Sequence, residues 1–258
     1  MTEARSIQKR RKRALINVSN LHAGGGLQVA VSFIFELSKT PYDEFTFDYD
    51  VVLSSAVAEQ LEELGMFVLE PRFVIQDVFG LRALVSGIDK KFVDYDVVFT
   101  LFGPGYFLPS STFHVFGFAQ AWIIYPNNEA YRFLPIVRRF FTWVKFLIQG
   151  QFFRQANHLI VELDHVKEGL VASGIQSEQN ISVVFNCVSP VFFDHSLWEN
   201  ITFNLPKSKI LLGLVSNGYN HKNLDILPDV ARCLRNIYDL EVCFVFTLDH
   251  LEWSRKPK

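Results

Sequence analysis

Two stretches of this 258-residue chain bring glycines or a lysine to a point where an apolar run passes into a helical pattern. Gly24–Gly26 follow the run Ala14–Ser19, and Lys222 follows the run Ile210–Val215. A glycine backbone allows an anion to approach the free N–H groups of a helix start, and a lysine beside such groups neutralises phosphate charge. These residue types at this spacing indicate a binding site for a diphosphate.

Neutral donors accompany the lysine, because Ser216, Asn217 and Asn223 lie within a few residues of it. The glycine run, Gly24, Gly25 and Gly26, is not the dinucleotide fingerprint, since Val29 occupies the position of its third glycine. It is not an NTPase phosphate loop either, since no Gly-Lys-Ser/Thr follows. A tight turn without a ligand and a solvated lysine remain the alternatives.

Strands and helices are predicted to alternate along the chain. The predicted strands are Ala14–Ser19, Asp50–Ser54, Met66–Leu69, Asp96–Leu101, Phe113–Phe118, His158–Val161 and Ile181–Phe185. The predicted helices are Leu27–Lys39, Ala56–Leu64, Phe79–Phe92, Pro135–Asn157 and Asp164–Ser173, with Gly65 and Gly174 as C-caps. This order predicts an α/β fold with a parallel sheet, whose ligands bind at the carboxyl ends of the strands. The loops at that edge are 20–26, 102–106 and 118–128.

Four regions are predicted: a basic tail over 1–13, a Rossmann-like domain over 14–190, a linker over 191–206 and a second Rossmann-like domain over 207–258. The last region offers a strand at Ile210–Val215, a helix at Leu224–Tyr238 and a strand at Glu241–Thr247. A doubly wound domain needs several βαβ units of about thirty residues each. We therefore expect the second domain to be incomplete.

The charge distribution argues against nucleic acid as a partner. The formal net charge is −2, but the first 13 residues hold six basic and one acidic side chain, which leaves the remainder at −7. A nucleic-acid binder presents a basic face, which this acidic body does not predict. The basic head is either a solvated tail or a segment attracted to anionic lipid.

Cysteine usage and hydropathy predict a protein of the cytoplasm. The cysteines, Cys187, Cys233 and Cys243, are widely spaced and suggest neither a disulfide framework nor a zinc site. No apolar stretch reaches the length of about 18 residues that spans a bilayer. We expect no metal at any site.

The predicted helix Pro135–Asn157 is unusual, because cations and aromatic side chains alternate in it without a single acidic residue. One stripe is predicted to pack on the core: Val137, Phe140, Phe141, Val144, Leu147, Ile148 and Phe152. An adjacent stripe is predicted to contact anionic lipid at the inner face of the cell membrane, through Arg138, Arg139, Trp143, Lys145 and Phe146. Burial of the whole helix between the sheet and the domain seam is the alternative.

Four segments together resemble the family-four (group 1) glycosyltransferases of GT-B fold, especially those that assemble surface polysaccharides. They are Gly24-Gly-Gly-Leu-Gln-Val-Ala30, Phe113-His-Val-Phe-Gly-Phe-Ala-Gln120 with Trp122–Pro126, Leu163–Gly174 before Ile181–Asn186, and Leu211–Val230. The resemblance covers nearly the whole chain, with motifs of moderate specificity. It implies a GT-B-like fold and hexosyl transfer from a nucleotide-diphosphate sugar to a lipid-linked or saccharide acceptor, with no cofactor.

The resemblance also implies roles for particular residues. Gly24–Gly26 and Lys222 would hold the donor diphosphate, and His114 or Gln120 would lie on the acceptor side. Ser216 and Asn217 stand where the family commonly has an arginine, which removes one positive charge from the diphosphate site. The family's acidic pair would lie beyond Lys258, so we expect a C-terminally truncated, inactive chain.

Two other functions remain open from the sequence. One is a non-catalytic fragment that binds acceptor or membrane. The other is a Rossmann-type oxidoreductase or epimerase that binds a nucleotide, which Val29 disfavours.

Overall fold

The computed structural model describes residues 10–66, 71–79, 87–106, 108–198, 210–215 and 223–247. The chain separates into two compact units, Met1–Leu197 and Trp198–Lys258.

A parallel sheet of seven strands forms the centre of the first unit. Its strands are β1 (Lys12–Val18), β2 (Phe47–Leu53), β3 (Phe73–Ile75), β4 (Val97–Thr100), β5 (Phe113–Gly117), β6 (His158–Val161) and β7 (Ile181–Val183). Their order is β3-β2-β1-β4-β5-β6-β7, and every neighbouring pair is parallel. The chain therefore builds the sheet outward from β1 in one direction and then, from β4, in the other.

Six helices accompany this sheet in the described part of the unit: α1 (Gly24–Lys39), α2 (Ser55–Glu63), α3 (Ile88–Phe92), α4 (Ala121–Ile124), α5 (Ile136–Phe153) and α6 (Asp164–Ala172). Gly65 and Gly174 end α2 and α6 with φ of 78° and 63°, which confirms both as C-caps. Ser54 begins α2, because its hydroxyl accepts a hydrogen bond from the amide of Val57 at 3.2 Å.

The helices lie on opposite faces of the sheet, because alternate residues of a strand point to opposite sides. Ile16 of β1 and Val51 of β2 pack with α1 and α2 on one face, which we call face A. Leu15 and Val98 pack with α3 on the other face, and Phe116 of β5 packs there with α5 and α6. The predicted α/β class, with a parallel sheet and helices on both sides, is confirmed.

The second unit contains β8 (Ile210–Leu214) and β9 (Val242–Phe246), which pair in parallel, and α7 (Leu227–Tyr238) between them. A 3-10 turn, Leu224–Ile226, precedes α7. Every described residue of the two strands is at least partly exposed.

Several boundaries differ from the prediction, among them that of α1, which begins at Gly24 and not at Leu27. The strand that pairs with β2 is Phe73–Ile75, after the turn at Pro71, and the predicted strand Met66–Leu69 lies mostly outside the described residues. Of the predicted helix Phe79–Phe92, only Ile88–Phe92 is helical among the described residues, because Gly87 adopts φ of 68° just before it. The basic tail ends earlier than predicted, since Lys12 already belongs to β1.

The ion pairs at the start of β1 explain this last difference. Arg11 lies 3.4 Å from Asp48, and Arg13 lies 3.1 Å from Asp50. Both acidic partners are on the neighbouring strand β2. Arg11 and Arg13, the last arginines of the basic run, therefore help to align the two strands instead of remaining free in solution. Segment 191–206, predicted as a linker, overlaps the 3-10 turn Pro190–Phe193 and includes the 3-10 turn His195–Leu197, both in the first unit.

Candidate functional site

The reversal of strand order between β1 and β4 determines where a ligand can bind. The connections after these two adjacent strands leave in opposite directions, which opens a crevice at their carboxyl ends. The loops at this edge include 19–23 after β1 and 101–106 after β4. The predicted loops 20–26 and 102–106 therefore lie next to each other.

Polar side chains join the ends of β1 and β4. Asn17 donates to Thr100 Oγ1 at 3.2 Å, and the Ser19 hydroxyl donates to Asn17 Oδ1 at 2.7 Å. Asn20 donates to the carbonyl of Phe102 at 2.8 Å. These bonds hold the two loops together and fix the floor of the crevice.

The three glycines form the first turn of α1. Gly24 begins the helix with φ of 70°, a conformation that favours glycine. Ala23 precedes it and supplies no side-chain cap, and the first turn contains no acidic residue. Gly25 is exposed, and a Cβ added there would meet no atom within 4 Å. The helix therefore presents amide groups that no side chain caps, with open space in front of Gly25, as an anion site requires.

His22 is a residue of this edge that the sequence analysis did not select. Its Nε2 lies 3.0 Å from the carbonyl oxygen of Val78, and its Nδ1 lies 3.5 Å from Asp77 Oδ1. The ring stacks on Phe79 with centroids 3.9 Å apart. Asp77 also accepts from the amide of Ser55 at 2.9 Å. His22 thus ties the turn before the glycines to segment 76–79 and to the start of α2. The signal available in the sequence was its place two residues before Gly24.

The carboxyl edge continues into a cavity of about 1090 Å³, which we call the edge cavity. Its floor is face A of the sheet near the ends of β4, β5 and β6, with Leu101, Gly117 and Ile160 among its residues. One wall is α1, and the opposite wall is the segment 184–192 that follows β7. This volume is at the upper end of the range for small-molecule sites.

Gly117 allows β5 to reach the edge of this cavity. A Cβ added at Gly117 would lie 1.8 Å from the carbonyl oxygen of Leu101. Only a residue without a side chain lets the ends of β4 and β5 approach this closely.

The structure separates the two residues predicted for the acceptor side. Gln120 follows β5 at the carboxyl edge and is partly buried at the start of α4. His114 is only 2% exposed, near the opposite end of β5, and its Nε2 lies 3.1 Å from the carbonyl oxygen of Pro109. Burial lowers the pKa of His114, and the hydrogen bond with Pro109 opposes this in part. An alternate strand position directs the His114 ring into the core, so Gln120 is the residue of this pair that lies at the carboxyl edge.

Most of the residues predicted to hold the donor in the second unit, Ser216, Asn217 and Lys222, lie outside the described residues. Asn223 is described, and it adopts φ of 49°, a left-handed conformation that asparagine tolerates better than most residues. It immediately precedes the turn that leads into α7. The diphosphate role of these four residues stays a prediction.

Helix α5 presents its apolar residues differently from the prediction. Side chains assigned to the core are exposed, among them Val137, Phe140, Phe141, Leu147 and Ile148. Gly150 and Phe153 are the buried residues of α5. The inward contacts are made by the adjacent stripe, where Phe146 stacks on Trp122 with centroids 5.6 Å apart.

The residues predicted to contact membrane are therefore divided. Arg138, Arg139, Trp143 and Lys145 are exposed. Phe146 is only partly exposed, because Trp122 covers one side of its ring. The side chains that accompany the cations on the surface are instead Phe140, Phe141 and their neighbours.

The described residues contain neither a membrane-spanning helix nor a cluster of metal ligands. None of the described helices combines the length and hydropathy needed to cross a membrane. Within the same residues, no group of three or more histidine, cysteine, aspartate or glutamate side chains could hold a metal ion.

Comparisons with known proteins identify structural likeness only. No family model and no curated protein sequence matches the chain. A Listeria monocytogenes protein described as a UDP-N-acetylglucosamine 2-epimerase has a similar solved structure, with a TM-score of 0.50 and 14% identity over 95% of this chain. The match covers 65% of the Listeria protein, so this chain spans slightly less than two thirds of its length. A glycosyltransferase from Rickettsia africae ESF-5 matches with a TM-score of 0.44 and 13% identity, over 93% of this chain and 69% of that one. The first likeness agrees with the GT-B-like α/β fold expected from the sequence.

Proposed function

We propose that this protein is a glycosyltransferase of GT-B fold that takes a sugar from a nucleotide-diphosphate donor to a lipid-linked or saccharide acceptor. The observation that carries the proposal is the start of α1, which lies at the carboxyl edge and which no side chain in the described part of the chain caps. A helix start of this kind attracts the charge of a phosphate. The edge cavity beside it provides space for a hydroxylated acceptor.

The predicted residues have complementary roles in this proposal. The amides of Gly24, Gly25 and Gly26 bind the donor diphosphate, and Lys222, Asn223, Ser216 and Asn217 keep the diphosphate-binding role predicted for them. Transfer of a sugar produces a nucleoside diphosphate, so groups that hold the diphosphate also stabilise the leaving group. Gln120 lies at the same edge and is our candidate for an acceptor contact.

We place the protein on the cytoplasmic surface of the membrane, where surface polysaccharides are assembled. The exposed aromatic and aliphatic side chains of α5 support this placement, together with Arg138, Arg139 and Lys145 between them. An amphipathic helix of this composition binds at an anionic lipid interface.

A second candidate is an enzyme that modifies a nucleotide sugar without an acceptor. The similarity of the fold to a protein described as a UDP-N-acetylglucosamine 2-epimerase supports it. Both candidates need a diphosphate site, but only a transferase depends on a second substrate.

The test is calorimetric binding of a panel of nucleotide-diphosphate sugars to the whole chain. We expect Gly25→Asp to weaken binding by about tenfold or more, because the new carboxylate repels the diphosphate at the helix start. Gly25 has space for the side chain, so thermal stability should stay close to that of the parent. Lys222→Ala should weaken binding by a similar factor.

Two matched variants control this experiment. Ser38→Asp adds the same charge at the far end of α1, and Lys90→Ala removes a lysine from the surface of α3. Neither should change the affinity by more than about twofold. Equal affinity in the parent, Gly25→Asp and Lys222→Ala proteins would show that these residues do not bind the diphosphate. That result would contradict the proposed function. Consumption of the bound sugar nucleotide without any acceptor would favour the second candidate.

A further inference from the structure

The edge cavity occupies a part of face A that the described helices leave open. Helices α1 and α2 cover β1 and β2 on this face. Between α1 and segment 184–192, the floor over β4, β5 and β6 borders the cavity, with Phe99, Gly117 and Ile160 among its residues. Phe33 of α1 packs edge-on against Phe99 of β4, with ring centroids 5.9 Å apart. Among the described residues, no helix packs over the floor at β5 and β6.

Both walls of the cavity are long, and apolar side chains line each of them. Along α1, Val29, Val31 and Phe33 line the cavity beside the polar residues Gln28, Ser32 and Glu36, over about 12 Å of helix. In the opposite wall, Val184, Phe185, Val188 and Phe192 have 55 to 65% of their surface exposed. The walls therefore present an extended apolar channel that remains open to solvent.

The polar groups of the cavity lack positive charge. Its charged lining residues are Glu36, Glu63 and Glu162, and no lysine or arginine among the described residues lines it. Lys39 outside the cavity neutralises Glu36 at 3.0 Å. The remaining polar lining residues are neutral amides or small hydroxyl or thiol side chains. Two carboxylates beside an apolar channel disfavour a phosphorylated ligand, whereas amides and carboxylates hydrogen-bond well to sugar hydroxyls.

We infer that the edge cavity binds an uncharged amphiphile, whose apolar chain lies between α1 and segment 184–192 and whose neutral, hydroxylated head lies near Glu162 and Asn186. The identification of this ligand as the acceptor rests on the proposed function, but its binding does not. Under that function, the acceptor is a neutral glycoside with an apolar chain and not a sugar linked to a lipid phosphate.

The chain carries a reporter for this binding, because Cys187 lies in the wall of the cavity and is exposed. Cys233 is also exposed but belongs to α7 of the second unit, so it serves as an internal reference. The experiment measures the rate at which a maleimide modifies each thiol of the whole chain, by peptide mass spectrometry. The probes are dodecyl maltoside and dodecyl phosphate, both below their micellar concentrations.

We expect dodecyl maltoside to slow the modification of Cys187 about tenfold at saturation and to leave Cys233 unchanged. Dodecyl phosphate should protect Cys187 at least about tenfold less well at equal concentration, because its charge faces Glu162 and Glu63. Val188→Arg should abolish protection by dodecyl maltoside, since a charged guanidinium replaces an apolar side chain in the wall that holds the apolar chain. Val93→Arg is the matched control, because Val93 is similarly exposed just after α3, away from the cavity. Protection of Cys187 in the Val93→Arg variant should equal that in the parent.

Several results would overturn the inference. Equal protection by both amphiphiles would contradict the selection against phosphate. Protection that Val188→Arg does not change would place the amphiphile elsewhere. Protection of Cys187 that rises with protein concentration, without any amphiphile, would show that a second copy of the chain covers the cavity. None of these results depends on nucleotide-sugar binding, so failure here is distinct from failure of the proposed function.

Discussion

His114 shows how burial determines what a titratable residue can do. The ring lies between Phe92 and Phe116, and its Nδ1 has no hydrogen-bond partner among the residues that the structure describes. The partner of Nε2 is a carbonyl oxygen, which only accepts, so Nε2 must carry the proton and the neutral ring is the form that fits. The residue therefore contributes to packing, and protonation would leave a buried charge without a counterion.

We predict that His114 makes stability depend on pH in the mildly acidic range. Its pKa is lowered in the folded protein, so the unfolded chain binds the proton first as pH falls. The contribution of His114 is therefore complete above the ordinary histidine pKa of about 6.5 and declines as pH falls below that value. Urea unfolding of the parent and of His114→Gln between pH 7.5 and pH 5 measures this. The variant should lose less free energy of unfolding over this range.

The exposed His165 on α6 provides the control, since His165→Gln should keep the parent's dependence on pH. If His114→Gln and the parent have parallel curves, the ring titrates alike in the folded and unfolded chains, which would contradict its burial as a neutral group.

At this scale the sequence predicted backbone conformations better than side-chain roles. The glycines after helical runs were correctly predicted as C-caps, because only the local backbone decides that feature. His114 was predicted as a site residue only through the family resemblance, but alternation along a strand decides whether a ring faces solvent or core. His22 was not recognised, because its partner Asp77 lies 55 residues further along the chain.

Helix α5 is the element whose exposure most needs an explanation. Its existence over about 18 residues follows from continuous helix-compatible composition, and its observed span, Ile136–Phe153, is close to the predicted one. Which side faces inward could not be predicted, because both stripes carry large aromatic side chains. The orientation of α5 depends on Trp122 and Tyr131, which precede the helix and pack against each other. Trp122 stacks on Phe146, and the guanidinium of Arg139 lies over the ring of Tyr131.

We predict that α5 binds anionic membranes through Arg138, Arg139 and Lys145. Reversal of all three to glutamate should weaken binding to phosphatidylserine-containing vesicles by about 3 kcal/mol, or roughly a hundredfold, since each cation contributes about 1 kcal/mol near such a surface. Vesicle flotation at moderate ionic strength measures the change. Binding to vesicles of neutral lipid should change much less.

The control variant reverses the same number of charges elsewhere, at Lys90, Arg232 and Arg235, all of them exposed. It should float with anionic vesicles almost as the parent does, apart from the effect of net charge. Undiminished flotation of the α5 variant would contradict the membrane role of this helix. An equal loss of vesicle binding in both variants would show that net charge alone accounts for the binding.

Across the whole chain, the two units differ in how much of their sheets is covered. In the first unit, Val18, Val51 and Val98 have no exposed surface. In the second, β8 and β9 form a two-stranded parallel sheet whose described residues are all at least partly exposed. Parallel sheets are usually covered on both faces, and a two-stranded sheet alone is only marginally stable.

We predict that hydrogen exchange distinguishes the two units. Amide protons of β8 and β9 should exchange at least about tenfold faster than those of β1 and β4, because protection follows the burial and contacts of each cooperative unit. Mass spectrometry of peptides from the whole chain measures both rates in one sample. The short strand β3, at one edge of the first sheet and partly exposed, should fall between them.

Equal protection of all strands would contradict this prediction. It would mean that the exposed side chains of β8 and β9 are covered in solution. Repeating the measurement at several protein concentrations would show whether a second copy provides the cover.

The alternation of strands and helices could be predicted at this scale, because each element has a local pattern. The pairing of β1 with β4, across almost eighty intervening residues, could be expected from the rules for parallel sheets but not from either strand alone. The edge cavity could not be predicted. It depends on segment 184–192, which has no regular period and acquires its position only from the end of β7.

The close approach at Gly117 has a consequence for which sequences can adopt this architecture. Alanine, the smallest replacement, would already bring a methyl group to 1.8 Å from the Leu101 oxygen, and no choice of rotamer can move a Cβ. A chain with any other residue at this position must therefore separate the tips of the fourth and fifth strands and reshape the cavity floor between them. Position 117 is thus a diagnostic mark in comparisons of other sequences: glycine is compatible with the same pocket, and its replacement signals a different one.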